Sequence, residues 1–302
     1  MLSPLRCRLI KLTERCSLSA GLSPDAEAAV RGAAMTISLG ERWFPEPDWR
    51  SEGWFLTGNL GPLAGILVLY VYGVKVLGPR AMKGREPFNI QPLVLAYNLF
   101  MVLNCAFFLV EFVRLAFVQN GYSVLLQEVD ATTRPATMRL VSLSWWYFMF
   151  RIFEFTETFF FVLRKKFSQV SGLHVFHHCV IAWNMWLCVT YGGQAQTIFV
   201  TCMNTLVHLV MYSYYFLAAL GPWAQPFLWW KRYLTQVQLV QFVVLMVHNA
   251  LPLFFAGNFV RTFSAILVAE GLIFFAWFWA FYLDTYRRRK AAAMIFECHK
   301  TD

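Results

Sequence analysis

The 302-residue chain is 58% hydrophobic and only 14% charged, with 30 phenylalanines and a formal net charge of +9. Water-soluble domains carry about 25% charged residues, so this composition excludes a soluble globular fold and indicates a polytopic membrane protein. The positive charge suits loops facing an anionic leaflet; no basic run interleaved with aromatics lies outside the apolar segments, which argues against nucleic-acid binding.

In chain order, residues 1–40 stand apart. Arg6, Arg8, Lys11 and Arg15 among Ser and Leu resemble a transit peptide, but Asp25 and Glu27 follow and no long apolar core appears. The segment reads as a disordered N-terminal extension, with Met35 as an alternative start. Seven apolar stretches then approach or exceed the roughly 20 residues that cross a bilayer: 58–77, 92–117, 140–163, 173–191, 197–220, 233–255 and 262–285. Their lengths, and the lack of ten-residue alternating dyads, predict an all-α polytopic membrane protein with seven transmembrane helices. Residues 41–290 form one domain and 291–302 a cytosolic tail. Gly78-Pro79, Gly192-Gly193, Gly221-Pro222 and Gly257 predict helix ends at the membrane exits.

Lys and Arg set the orientation. Every odd-numbered exit is basic: Lys75, Arg80, Lys83 and Arg85; then Arg164, Lys165 and Lys166, with Lys231 and Arg232 before span six; finally Arg287, Arg288, Arg289 and Lys290. The other loops hold only Arg134, Arg139 and Arg261. The N-terminus is therefore expected outside or in a lumen, and the C-terminus in the cytosol. Seven scattered cysteines include no CxxC pair, which argues against a disulfide framework or a zinc site.

Ionisable groups inside a span are costly and are functional candidates by default. Span three contains Arg151, Glu154, Glu157 and Thr158; span four opens with His174, His177 and His178. Span five holds Asn204, His208, Tyr212 and Tyr215, and span six holds Gln238, Gln241 and His248. Helical spacing gathers these into one polar stripe per helix, and such stripes must turn from lipid toward one another. At a rise of about 1.5 Å per residue, His177 lies roughly 6 Å inside the cytosolic end of its span. The expected picture is a polar cavity open to the cytosol, with Arg164, Lys165, Lys166, Lys231 and Arg232 at a mouth suited to a phosphorylated headgroup. His248 and His299 have no companions and read as incidental.

Three histidines within five residues, plus one on the next helix, point to chemistry rather than packing. A membrane di-iron oxygenase is disfavoured: it needs around eight His ligands, and the chain has six in all with no HxxxH box. A seven-helix receptor is disfavoured too, since no DRY-like triplet follows span three and no proline lies in span seven. A single metal on His174, His178 and His208 is left open, beside acid–base and nucleophilic work by imidazole.

Four motifs in order resemble the ELO fatty acid elongases, the 3-ketoacyl-CoA synthases of very-long-chain fatty acid synthesis. They are Arg151-Ile-Phe-Glu154-Phe-Thr-Glu157-Thr158 with Leu163-Arg164-Lys165-Lys166; Leu173-His174-Val-Phe-His177-His178; Asn204-Thr-Leu-Val-His208-Leu-Val-Met211-Tyr212-Ser-Tyr214-Tyr215; and Thr235-Gln-Val-Gln238-Leu-Val-Gln241. Arg151 stands where the family has Lys, and Glu157 where it usually has Asp. The resemblance implies an inverted barrel of six helices around an acyl tunnel, with the first helix outside, in the endoplasmic reticulum membrane. It implies condensation of a long-chain acyl-CoA with malonyl-CoA to 3-oxoacyl-CoA, CO2 and CoA, without a cofactor or metal. Carried over by position, His177 attacks the thioester to give an acyl-imidazole, while His174, His178, His208 and Asn204 orient it and stabilise the enolate. Arg151, Glu154, Glu157, Thr158, Lys165, Lys166, Tyr212, Tyr215, Gln238 and Gln241 form the substrate-binding set. The implied partners are the two CoA substrates, the lipid bilayer, further copies of the chain and the other elongation-cycle enzymes. His299-Lys300 is a partial match to a dilysine retrieval signal.

Overall fold

The computed structural model describes residues 47–192 and 194–301, with side chains as far as Thr285. The N-terminal extension, Met35 and the side chains of Arg287–Lys290, His299 and Lys300 lie outside the described set. The described secondary structure is helical: α1 Leu60–Ala81, α2 Gln91–Gln119, α3 Pro135–Phe153, α4 Phe155–Leu163, α5 Gly172–Tyr191, α6 Gln194–Ala219, α7 Lys231–Phe254 and α8 Arg261–Thr301. Local chemistry sets several ends. The Asn59 side chain accepts from the Gly61 N–H, and Ser171 Oγ accepts from the His174 N–H at 3.1 Å, so each supplies an acceptor for a helix's first turn. At the far end of α5, Gly192 takes the left-handed conformation (φ 70°) that closes a helix without a Cβ clash.

Among the described residues, α1, α2, α6, α7 and α8 are long and apolar enough to cross a membrane. α3, α4 and α5 occupy the other two predicted spans but fall outside that set; α4 has only nine residues. Large apolar side chains such as Leu69, Leu103, Phe107, Val240, Val247 and Leu272 face outward, as a lipid-facing surface requires.

Two predicted boundaries differ. Span three is not continuous: α3 ends at Phe153, and α4 begins at Phe155. The Glu154 carbonyl accepts from the Glu157 N–H at 3.1 Å, a tightened i→i+3 turn, and the Tyr97 hydroxyl approaches the same oxygen at 3.5 Å. The first helix also does not stop at Gly78-Pro79 but runs on to Ala81. Proline has no N–H to place in an α-helical ladder, and the preceding turn, Gly73–Leu77, is widened so that Gly78 N–H reaches Gly73 O.

α2 packs along α6, α7 along α8, and α3 against α5. The main core, with Met101, Phe112, Tyr147, Phe148 and Trp186, lies among α2, α3, α5 and α6. α1 joins through α4 and α5, where Tyr70 stacks on Phe155 at 4.2 Å. The end of the bundle away from the histidines is closed by two loops. Asp48 N–H donates to Thr190 O at 2.7 Å, Ser51 Oγ donates to Val189 O at 2.6 Å, and Arg50 donates to Asp130 O at 2.7 Å. Gln196, at the start of α6, accepts from Gln127 N–H and donates to Leu125 O.

Candidate active site

The break at Glu154 aims the polar residues of α3 and α4 inward. Arg151 is 1% exposed, and its Nη1 donates to both Glu154 oxygens at 2.7 and 2.8 Å. The same nitrogen lies 3.3 Å from His208 Nδ1, Nη2 donates to Asn204 Oδ1 at 3.2 Å, and the guanidinium sits 4.3 Å from the centre of the Tyr147 ring. One planar head thus ties α3 to α6 through two partners, His208 and Asn204, while holding Glu154, a geometry open to Arg rather than to a point charge.

A second relay runs beside it. The Tyr70 hydroxyl and Thr158 Oγ1 are 2.8 Å apart, and Thr158 Oγ1 and His174 Nε2 2.9 Å. Tyr212 donates to Glu157 Oε2 at 3.1 Å, and that oxygen is 4.0 Å from His178 Nε2. The rings of His174 and His178 meet edge to face at 4.4 Å. Glu157, His174 and His178 offer ligand atoms all within 4.8 Å of one another. If the trio were metal ligands, Glu157 would take the place considered for His208, whose Nδ1 faces Arg151. Thr158 and Tyr212 already hydrogen-bond two of its members.

His177 differs from the other three histidines. It is half-buried, stacks near His208 (6.0 Å, 21° between planes), lies 5.8 Å from His178, and meets Phe274 of α8 at 5.4 Å. Of the four, only His177 lines the main cavity, a space of about 110 Å³ between α3, α5, α6, α7 and α8. Arg151, Asn204 and Gln241 line it as well, the last with a buried Nε2 that has no hydrogen-bond partner among the described residues. From His177 the cavity follows α5 to Cys188, eleven residues or roughly 16 Å along the axis, between walls that are mostly apolar.

The predicted site residues therefore fall into three groups. His177, Arg151, Asn204 and Gln241 reach the cavity; His174, His208, Glu154, Glu157, Thr158 and Tyr212 form the hydrogen-bonded shell behind them, with His178 packed against it 4.0 Å from Glu157. Lys165 and Lys166 lie at the turn after α4, Gln238 Nε2 rests 3.9 Å from Met211 Sδ, and Tyr215 is 36% exposed against Tyr212 and Tyr214. His248 is a packing residue, stacked on Phe199 at 4.2 Å with Nε2 2.9 Å from Val124 O. Asn184 and Glu270, absent from the motifs, also line the cavity and are joined at 2.6 Å. Glu270 carried a readable signal, an acid in the middle of an apolar span.

Residues 55–294 match the family described as ELO: GNS1/SUR4. The chain is 40% identical over 243 residues to very long chain fatty acid elongase 4 of Homo sapiens, covering 80% of this chain and 77% of that protein. It is 40% identical over 255 residues to very long chain fatty acid elongase 7 of Rattus norvegicus (84% and 90%). It is 37% identical over 244 residues to elongase 7 of Drosophila melanogaster (80% and 74%).

Proposed function

The chain belongs to the ELO (GNS1/SUR4) family of multi-pass membrane elongases, and from that premise we propose that His177 is the nucleophile of its reaction. The protein is a very long chain fatty acid elongase acting at the condensing step of elongation. The observation that carries the assignment of His177 is that it alone of the four histidines lines the cavity, beside Arg151 and Asn204.

In the first half-reaction an imidazole nitrogen of His177 attacks the acyl-CoA thioester carbonyl. The C–S bond breaks, the imidazole proton goes to the departing thiolate, and an acyl-imidazole and CoA result. In the second, malonyl-CoA loses CO2, and the carbanion left behind attacks the acyl carbonyl. The C–N bond breaks, the imidazole takes up a proton, and 3-oxoacyl-CoA leaves. The relays from Arg151 to His208 and Asn204, and from Glu157 and Thr158 to His178 and His174, hold neighbouring rings in fixed orientations. Donors at Arg151, Asn204 and Gln241 suit the oxygen that gathers charge. The apolar length beyond His177 suits the acyl chain.

Seven spans, with α3 and α4 together forming the third, put the basic turn Arg164–Lys166 and the start of α7 on the cytosolic face, where CoA phosphates arrive. The endoplasmic reticulum membrane, a lumenal N-terminus and assembly with further copies or other elongation-cycle enzymes belong to the same reading.

Labelled malonyl-CoA supplied to membranes containing the chain, with a panel of acyl-CoAs, is expected to yield labelled 3-oxoacyl-CoA. His177→Ala is expected to abolish both the product and a covalent acyl-protein adduct that the intact chain forms when malonyl-CoA is withheld. Full turnover by His177→Ala would overturn the nucleophile. Turnover that collapses on chelation and returns with metal would favour a metal at Glu157, His174 and His178 instead.

A further inference from the structure

Asn184 of α5 and Glu270 of α8 form a polar station inside the apolar cavity. Asn184 Nδ2 donates to Glu270 Oε2 at 2.6 Å, both residues line the cavity, and neither is fully buried. Asn184 is seven residues beyond His177 on α5, roughly 10 Å along the axis. Deeper along the same wall lies Asn249 of α7, 1% exposed, whose Oδ1 has no hydrogen-bond partner among the described residues. The contacts of Phe242 with Phe274 and of Met246 with Gly271 set the α7–α8 register, which places Asn249 about one turn past Glu270.

A carboxyl is an expensive wall for a hydrocarbon chain. Among the described residues its one side-chain partner is Asn184, which leaves one carboxyl oxygen and the second amide hydrogen of this cavity-lining pair unanswered, and a plain acyl chain threading past would strip water from both without replacing it. A site whose polar groups must be paired by the ligand selects ligands that carry the matching group. The geometry points to a hydroxyl on the acyl chain as that group. Resting on the elongase reading, we propose that Asn184 and Glu270 are specificity-determining residues for acyl-CoAs bearing a hydroxyl group within the chain. The hydroxyl donates to the Glu270 carboxyl oxygen and accepts from Asn184 Nδ2. Asn249 Oδ1 offers a second, deeper acceptor for a hydroxyl carried further along.

The test uses the full chain in membranes, labelled malonyl-CoA and acyl-CoAs of one length, either plain or with a single hydroxyl moved stepwise along the chain. One hydroxyl position is expected to be favoured over the plain substrate in kcat/KM by about tenfold, the size of one hydrogen bond. That ratio is expected to fall to about one in Glu270→Leu and in Asn184→Leu. Glu270→Gln keeps an acceptor in place and is expected to retain part of it. Because each ratio is taken within one variant, a lower yield of folded protein does not change it. Where one leucine variant fails to fold, the other reads the same ratio. A flat profile across positions in the intact chain, or a preference that survives both leucine variants, would overturn the proposal while turnover of the plain substrate leaves the elongase reading standing. No product from any substrate would overturn the elongase reading, and this proposal with it.

Discussion

Arg151 shows how much one side chain can fix. Its charge is buried and answered by Glu154, its two terminal nitrogens also reach His208 and Asn204 across an interhelical gap, and its buried Nε has no hydrogen-bond partner among the described residues. Breaking a buried pair from one side leaves an uncompensated charge and costs about 3–5 kcal/mol. Glu154→Gln is therefore expected to lower the melting temperature of the detergent-solubilised protein markedly, and Glu154→Asp to lower it less. At this scale the sequence was informative about residue types: i, i+3 spacing marked Arg151 and Glu154 as neighbours, and the motif spacing placed the histidines on shared faces. It was silent on partners distant in the chain. Tyr70 with Thr158 and Tyr212 with Glu157 are 88 and 55 residues apart, and no local periodicity encodes such pairs. Nor did spacing distinguish His177 from His178, which differ by about 100° around one helix and so face different surroundings.

Among elements, α1 and α4 approach closely at Gly78. A Cβ on Gly78 would lie 2.6 Å from Val162 Cγ1 and 2.9 Å from Gly73 O. Gly78→Ala is thus expected to destabilise by about 1–3 kcal/mol through overpacking. Adding Val162→Ala should recover part of the loss but not all, since the Gly73 carbonyl remains in the way; a thermal-melt double-mutant cycle reads this directly. Gly78-Pro79 was legible as a helix breaker, yet its role is close packing within a helix that continues, because the widened turn before it absorbs the missing N–H. The interruption at Glu154 was not legible. It depends on where one carbonyl turns, and no glycine or proline marks the place.

For the whole molecule, the apolar pattern located the helices to within a few residues at most ends, and five of them are long and apolar enough to cross a membrane. α3, α4 and α5 fall outside the segments long and apolar enough to cross, while α6 and α7, which carry polar stripes too, fall inside. The closing loops were beyond the reach of pattern, since their order rests on single hydrogen bonds between segments far apart in the chain. Asp130 is a hub of that closure. Burial alone would raise its carboxyl, but the Thr132 side chain and N–H, Thr137 and Arg134 outweigh burial and hold it at about 2, against an ordinary 3.8. A depressed folded value stabilises above the unfolded value and ceases to do so as pH falls through the folded one. Thermal stability is expected to decline from about pH 4 toward pH 2, and to decline less steeply over that window in Asp130→Asn.

Those loops bear on time as well as shape. Arg50, Asp48, Ser51, Gln196 and Asp130 stitch backbone to backbone at one end. At the other, α7 and α8 meet mainly through aromatic side chains such as Phe242, Phe274 and Phe278, with Gln236 Nε2 donating to the Tyr282 hydroxyl at 3.0 Å. Local opening follows the weaker cross-links. Deuterium uptake is expected to spread from the first turns of α5 and α7 and to reach residues 48–58 and 120–134 last. The bundle would then breathe like a hinge fixed at its base, admitting and releasing its guests through one moving end while the other keeps still.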